Sequence, residues 1–553
     1  LFGWVIVSAG VIIREYEYKI SSCKKDTGGR KSAAAKSRIR EKKINSCKKQ
    51  MICRKGKEEK GMRRYRSRWI LEALLLPALL LGACSREAGI PAKPVETETE
   101  SSVDAGPDRT GESEEIPTEE SIKESPGEIE PFPSVPEETK ETTAVGPSEY
   151  EWEKRAVIGT DIHYLSRTLT DGGSGFQYMV EHGDGKVVTY IEQITDAFLE
   201  EVIRQKPDVL ILSGDLTLDG EKRSHEELAE KLYLVENAGI PVLVIPGNHD
   251  INNRHAAQYQ GEERFPAEFT TPEEFREIYQ DFGYNEAVSE DRISLSYVYE
   301  VDEYNRLLML DTCQYQQKAL VGGAILTDTY DWIEEQLEDA WDNGMNIIPV
   351  AHHNLLDESE IYVDDCTIEH GEQLVNILEN WDVPVFLSGH LHVQHSKRSE
   401  DNRGVWEMVT SSLATPACQY GNLLFRDDGS FRYWTQSVDV ERWAKRHNRA
   451  EKDLLEFDDF KEPFLRRVFY NQSYDALAPI GELNEKQKEQ MSELYSELNY
   501  HYYQGTAYQI RDRVLKDPDY QLWLEDGAFT ILTDYVQYIV SDAKRDYNRV
   551  EED

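Results

Sequence analysis

Between Arg155 and Thr410 the chain alternates short β-branched runs with amphipathic stretches, and five of the runs are followed closely by aspartate, asparagine or histidine. Ala156–Thr160, Asp208–Leu212, Pro241–Ile245, Leu307–Leu310, Asn346–Val350, Val383–Leu387 and Trp406–Thr410 read as buried strands. Thr189–Arg204 carries Ile191, Ile194, Phe198 and Val202 at helical spacing, and helices are also predicted over Ser224–Glu236, Thr327–Trp341 and His370–Asn380. That alternation predicts an α/β domain whose sheets are covered by helices. Asp161 and His163 follow the first run, Asp215 the second, Asn248 and His249 the third; His352 follows IIPVA, and His390 and His392 follow VPVFLS. In open α/β sheets, sites gather in the loops beyond the carboxyl ends of strands.

The residue types suit metal chelation. Asp161 and His163 stand two apart, so an extended backbone would send both side chains to one face; His390 and His392 repeat that spacing. Asp215 supplies a carboxylate able to bridge two ions, and Asn248 a neutral carbonyl oxygen. Mixed imidazole and carboxylate donors favour Mn, Fe or Zn over Ca or Mg.

Gly159-Thr160-Asp161-Ile162-His163, Ser213-Gly214-Asp215, Gly247-Asn248-His249-Asp250, Ala351-His352-His353 and Ser388-Gly389-His390-Leu391-His392 occur in that order. This set resembles the motif series of the calcineurin-like metallophosphoesterase superfamily. The resemblance implies a two-sheet sandwich flanked by helices and two divalent transition-metal ions, with Mn favoured. It assigns Asp161, His163, Asp215 and His392 to one ion, and Asp215, Asn248, His352 and His390 to the other. It implies hydrolysis of a small phosphorylated substrate by a metal-held hydroxide, in which two ions about 3.5–4 Å apart clamp an in-line displacement. His249 is then a catalytic residue that assists the leaving oxygen, and Asp250 is expected to orient it or raise its pKa. His353 reads as a neighbour of the ligands. Many relatives have proline two positions after the first histidine, where Asn354 stands here, so the local turn is open to difference. His225 and His395 read as structural.

The stretch SGDLTLDGEKRSHEEL from Ser213 resembles a subgroup of lipoprotein cyclic-nucleotide phosphodiesterases that carry a helical C-terminal domain. The catalytic domain is set at 151–440 and a helical domain at 441–553, with Glu482–Tyr500 and Asp526–Tyr547 at helical spacing and Pro518 in a turn between them. Tyr500, Tyr502, Tyr503 and Tyr508 read as core and helix surface, or alternatively as a stacking wall over substrate. An exported phosphomonoesterase or ecto-nucleotidase is the alternative enzyme. A solute-binding lipoprotein has no reason to place metal-type ligands after five strands, and an inactive scaffold would have lost one.

The N-terminal portion reads as address and tether. Met62, Arg63, Arg64, Arg66 and Arg68 precede the apolar run Trp69–Leu81, too short to span a bilayer of about 20 helical residues. It ends in Leu81-Gly82-Ala83-Cys84, which resembles the lipobox of bacterial lipoproteins and implies a signal peptide over 62–83 and a lipid on Cys84. The expected location is the outer face of a bacterial cytoplasmic membrane. Residues 1–61 read as an over-extended reading frame. Residues 84–150, rich in Glu, Ser, Thr and Pro, bury too little apolar surface to offset ordering and read as an acidic tether.

The formal charge of −42 is uneven: residues 1–83 hold 21 Lys/Arg against 7 Asp/Glu, and the remainder is strongly acidic. Such a body repels nucleic acid polymers. It also repels an anionic substrate, so phosphate chemistry needs local positive charge. No protein partner is inferable. Cys313, Cys366 and Cys418 lack metal or disulfide spacing and read as small buried hydrophobes.

Overall fold

The computed structural model describes residues 153–359, 361, 363, 365–400, 403–524 and 531–552. The segments 1–61, 62–83 and 84–150, with Cys84, lie outside the described residues. Two sheets carry the catalytic region. The first has the spatial order Arg549–Glu552, Phe431–Ser437, Gln419–Arg426, Glu153–Gly159, Val209–Ser213, Val242–Ile245. Its last three strands are parallel and the others join antiparallel. The second runs His395–Glu400, Arg403–Val409, Val385–Ser388, Asn346–Ala351, Asn305–Leu310, Tyr297–Glu300, Ser289–Glu290. Its four strands from Arg403–Val409 to Asn305–Leu310 are parallel. The parallel runs Val209–Ser213, Val242–Ile245 and Val385–Ser388 are buried along their whole length, as parallel strands covered on both faces are.

The packing follows the period of two along each strand. Leu307 and Met309 enter the core shared with Ile158, Leu212 and Val244 of the first sheet. Leu308 and Leu310 point the other way, to Ile333, Leu337, Leu374 and Leu378 on helices Thr327–Asn343 and Gly371–Asn380. Each such burial contributes about 1.5–3 kcal/mol relative to exposure. Helix Ile191–Gln205 buries Ile191, Ile194, Phe198 and Val202 on one stripe and ends at Lys206, whose left-handed backbone (φ 52°) closes it.

Beyond Val440 the chain is helical, with Phe457–Leu477 packed on Glu485–Tyr503 and a core of its own around Met491, Leu494, Trp523, Val536 and Ile539. Glu485–Tyr503 starts at a capping box between Asn484 and Gln487. Pro518 opens the helix Pro518–Leu524 instead of only marking a turn, as proline's fixed φ allows in a first helical turn. The helical region does not run to the end. Arg549–Glu552 returns to the first sheet beside Phe431–Ser437, burying Val550 and pairing Glu551 with Arg432. Tyr502 and Tyr503 lie in the helical core, whereas Tyr508 is exposed.

The helical region grips the loop after His392. Gln394 donates its backbone N–H to Tyr503 O (2.9 Å) and its amide to Tyr547 O (3.1 Å). His395 sits between Glu358 and Asp542, 3.0 Å from the latter. Burial works against its charge, yet the two carboxylates lift its pKa to about 9. Cys313, Cys366 and Cys418 are buried, as small hydrophobes would be.

Candidate metal centre

The parallel strands of both sheets end at one place, and the loops beyond them converge. Asp161 N donates to Gly214 O, His163 N to Asp215 O and Gly389 N to His352 O, each at 3.0 Å, so the loops are stitched through backbone. Asp161 (φ 51°), His163 (49°), Asp215 (50°), His390 (71°) and His392 (59°) are all left-handed. The expectation that the two-residue spacing works through extended backbone is therefore corrected. Alternate left-handed residues turn both side chains inward instead, at a cost of order 1–3 kcal/mol each that the surrounding hydrogen bonds must hold. Gly247 is needed for close approach, since a Cβ there would lie 2.1 Å from the Asp215 backbone nitrogen.

Two groups of donors meet. Asp161, His163, Asp215 and His392 place ligand atoms within 4.8 Å of one another, and so do Asp215, His352 and His390. In the first group the Nε2 atoms of His163 and His392 are 3.0 Å apart, and Asp161 Oδ1 is 3.3 Å from His392 Nε2. In the second, His352 Nε2 lies 3.1 Å from Asn248 Oδ1 and 3.2 Å from His390 Nδ1. Asp215 belongs to both. Its Oδ1 accepts the His249 backbone N–H (2.8 Å), while Oδ2 lies 3.7 Å from His163 Nε2 and 3.4 Å from His352 Nε2.

The tautomers follow from outward hydrogen bonds. His352 Nδ1 lies 2.9 Å from Ser213 O and His390 Nε2 2.9 Å from Asp365 O. Each ring then donates outward and turns its other nitrogen inward, where it can bind a cation once unprotonated. Asp161 Oδ1 is buried with no hydrogen-bond partner. A buried carboxylate oxygen without a donor, facing clustered imidazole nitrogens, fits a cation.

Both carboxylates of the cage are held ionised. Burial opposes the charge on Asp215, but His352 and His249 outweigh it and hold its pKa far below the usual carboxylate range. Asp161 is likewise lowered, with burial opposed chiefly by His392. Burial, reinforced by Lys186, pushes His163 far down, so it is neutral and ready to bind. His352, raised to about 9 by Asp215 against burial, must release a proton to serve as a ligand.

His249 faces the same space but is held otherwise. Its Nδ1 lies 2.7 Å from Leu218 O and 3.0 Å from Asp219 Oδ1, and its Nε2 lies 3.9 Å from Asp215 Oδ2. Burial opposes its charge, while Asp215 and then Asp219 lift its pKa to about 9. Nδ1–H is thus anchored outward and Nε2–H points at the cage, the arrangement of a proton donor.

Asp250 does not orient His249, which corrects the expected pairing. Its carboxylate is occupied by the backbone N–H groups of Gly247 (2.8 Å), Leu216 (3.1 Å) and Thr217 (3.0 Å). Burial, then Asp215, raises its pKa to about 6. It fastens the Asp215 loop to the Asn248 loop. The orienting carboxylate is Asp219, whose sequence signal is a second aspartate four positions after Asp215 in the same turn.

His353 is fully engaged, 2.8 Å from Thr312 Oγ1 and 2.8 Å from Val321 O, and it packs against the His390 ring at 4.5 Å. Asn354 staples its own loop to Ser388 Oγ (3.0 Å) and Gly389 O (3.1 Å). His225 bonds Tyr279 Oη and Thr217 Oγ1, and burial lowers its pKa to about 3.

With this geometry in view, residues 155–394 match the family of calcineurin-like phosphoesterases, and residues 439–546 match the C-terminal domain of cyclic nucleotide phosphodiesterase. The chain carries a calcineurin-like phosphoesterase domain. A probable cyclic nucleotide phosphodiesterase of Synechococcus sp. is 27% identical over 250 residues, 43% of this chain and 80% of that one. A 3',5'-cyclic-nucleotide phosphodiesterase of Nostoc sp. is 22% identical over 217 residues, 38% of this chain and 66% of that one. Among solved structures, a dimetal phosphatase from Danio rerio aligns with TM-score 0.36 and 13% identity, over 51% of this chain and 95% of that one. A purple acid phosphatase from Lupinus luteus aligns with TM-score 0.35 and 16% identity, over 52% of each chain. The calcineurin-like phosphoesterase domain, with its buried Asp/His cluster, makes this chain a metal-dependent phosphoester hydrolase whose donor set fits two divalent ions.

Proposed function

We propose that this chain is a phosphodiesterase acting on 3',5'-cyclic nucleotides, with manganese in the cage, and that a lipid on Cys84 holds it at the outer face of a bacterial cytoplasmic membrane. The observation that carries the substrate class is the pairing, in one chain, of the phosphoesterase segment 155–394 with the segment 439–546. The metals supply Lewis acidity at phosphorus when bound. The residues then divide the work. Asp161, His163, Asn248, His352, His390 and His392 hold the ions, and Asp215 lies where it can touch both. His249 Nε2–H gives its proton to the departing ring oxygen, while Leu218 O and Asp219 fix the tautomer through Nδ1.

A substrate panel tests this reading: cyclic nucleotides, nucleotides, monoesters and wall-polymer diesters, each with Mn, Fe and Zn. The expected result is fastest turnover of a cyclic nucleotide with Mn. Fastest turnover of a monoester would replace it with an exported phosphomonoesterase or ecto-nucleotidase. Anchoring has its own check. Cys84→Ser is expected to leave the protein unlipidated, and fractionation should find it in the medium or as an unprocessed precursor; unchanged, lipid-labelled membrane protein would refute the anchor.

A further inference from the structure

The loop Gly183–Val187 joins the helix Ser174–His182 to the turn before Ile191–Gln205 and lies against the cage. Val187 N donates to Ala414 O (2.8 Å), and Ala414 N donates to Asp161 O (3.2 Å). Two backbone hydrogen bonds through Ala414 thus tie this loop to a metal-type ligand. On it stands Lys186, whose side chain is 8% exposed and 2.9 Å from Asp184. Its charge acts on His163 and His249, and the Asp219 and Asp215 carboxylates act on it in turn, in keeping with a loop that Ala414 ties to Asp161.

A lysine paired with a carboxylate two residues away could remain in water, where such a pair gains and costs little. Burying it costs several kcal/mol that one ion pair does not reliably repay. Burial beside the donor cluster therefore calls for another role, and the acidity of the body supplies one. An anionic phosphoester is repelled at long range and needs fixed positive charge where it docks.

The loop is held from the helical region. Gly185 is left-handed (φ 92°), and a Cβ on it would lie 2.4 Å from Leu465 Cδ1 of helix Phe457–Leu477. From the same helix Gln472 donates its amide to Gly183 O at 3.1 Å.

We propose that Lys186 is a phosphate-binding residue of the site, contacting a non-bridging phosphoryl oxygen, and that helix Phe457–Leu477 positions it through Gly183 and Gly185. The inference deepens the phosphoesterase reading and rests on it. The helical region thereby supplies the back wall of a loop that carries charge to the substrate. Lys186 Nζ offers three donors, and a charge-assisted bond to phosphate oxygen is among the stronger polar contacts.

The test uses the Mn-loaded protein and inorganic phosphate, with binding followed by calorimetry and metal content by elemental analysis. Lys186→Met is expected to keep both metals and to bind phosphate about tenfold to a hundredfold more weakly. Lys186→Arg should stay within about threefold of the parent, since the charge is kept. Gln472→Ala, on the remote face of the loop, should weaken phosphate about threefold, with metal content unchanged. Parental phosphate affinity in Lys186→Met overturns the proposal, and so does loss of metal in step with phosphate, which would make Lys186 a support of the cage. If Lys186→Met does not fold, parental affinity in Gln472→Ala overturns the positioning, and a Lys186→Arg variant that has lost phosphate while keeping metal overturns the role of charge. A parent that binds phosphate but hydrolyses no cyclic nucleotide would sink the substrate reading and leave this one standing.

Discussion

Asp215→Ala is expected to empty both metal positions at once and to lower turnover of bis(p-nitrophenyl) phosphate by at least about a thousandfold, equivalent to about 4 kcal/mol of transition-state stabilisation. The reason is geometric. Oδ2 of this one carboxylate faces His163 on one side and His352 on the other, and Oδ1 is tied to the His249 backbone N–H. Asn248→Ala should be milder, because Asn248 Oδ1 stands only beside His352 in the second group. Elemental analysis after reconstitution distinguishes them: fewer than one ion per chain for Asp215→Ala, between one and two for Asn248→Ala. Two retained ions in Asp215→Ala would remove the bridging role.

His249→Ala is expected to behave in the opposite way, keeping both ions and losing turnover by about 10²- to 10⁴-fold, the range for a positioned general acid. No atom of its ring lies in either donor group, while Nε2 faces the cage and Nδ1 is held by Leu218 O and Asp219. The loss should fall on kcat more than on KM, because a proton delivered to the departing oxygen acts in the transition state. Better leaving groups should suffer less. Asp219→Asn should give a smaller loss, since Leu218 O still anchors Nδ1. Metal loss in His249→Ala, or unaltered kcat, would assign the ring a structural place.

Much of the arrangement is legible in the chain because strand ends are. A buried run such as Pro241–Ile245 is recognisable from β-branched residues, and the polar residues that follow have few reasons to be there other than chemistry. The helix stripe Ile191, Ile194, Phe198, Val202 is legible for the same reason: its period is local. What escaped depends on loop conformation. Left-handed φ at Asp161 and His163 replaces the extended geometry that spacing alone suggests. Asp250 looks like the partner of its neighbour His249, but the turn aims it at three backbone N–H groups and leaves the orienting role to Asp219. The return of Arg549–Glu552 to a sheet whose other strands lie far upstream has no local signature, because register between distant segments is fixed by tertiary packing. The same holds for helix Phe457–Leu477 behind Gly185.

Anomalous diffraction from crystals of the Mn-loaded protein addresses the central claim most directly. Two peaks about 3.5–4 Å apart are expected. One should lie within reach of Asp161, His163 and His392, the other of Asn248, His352 and His390, with Asp215 between them. A single peak, or peaks that leave Asp215 on neither ion, would contradict the shared two-metal cage.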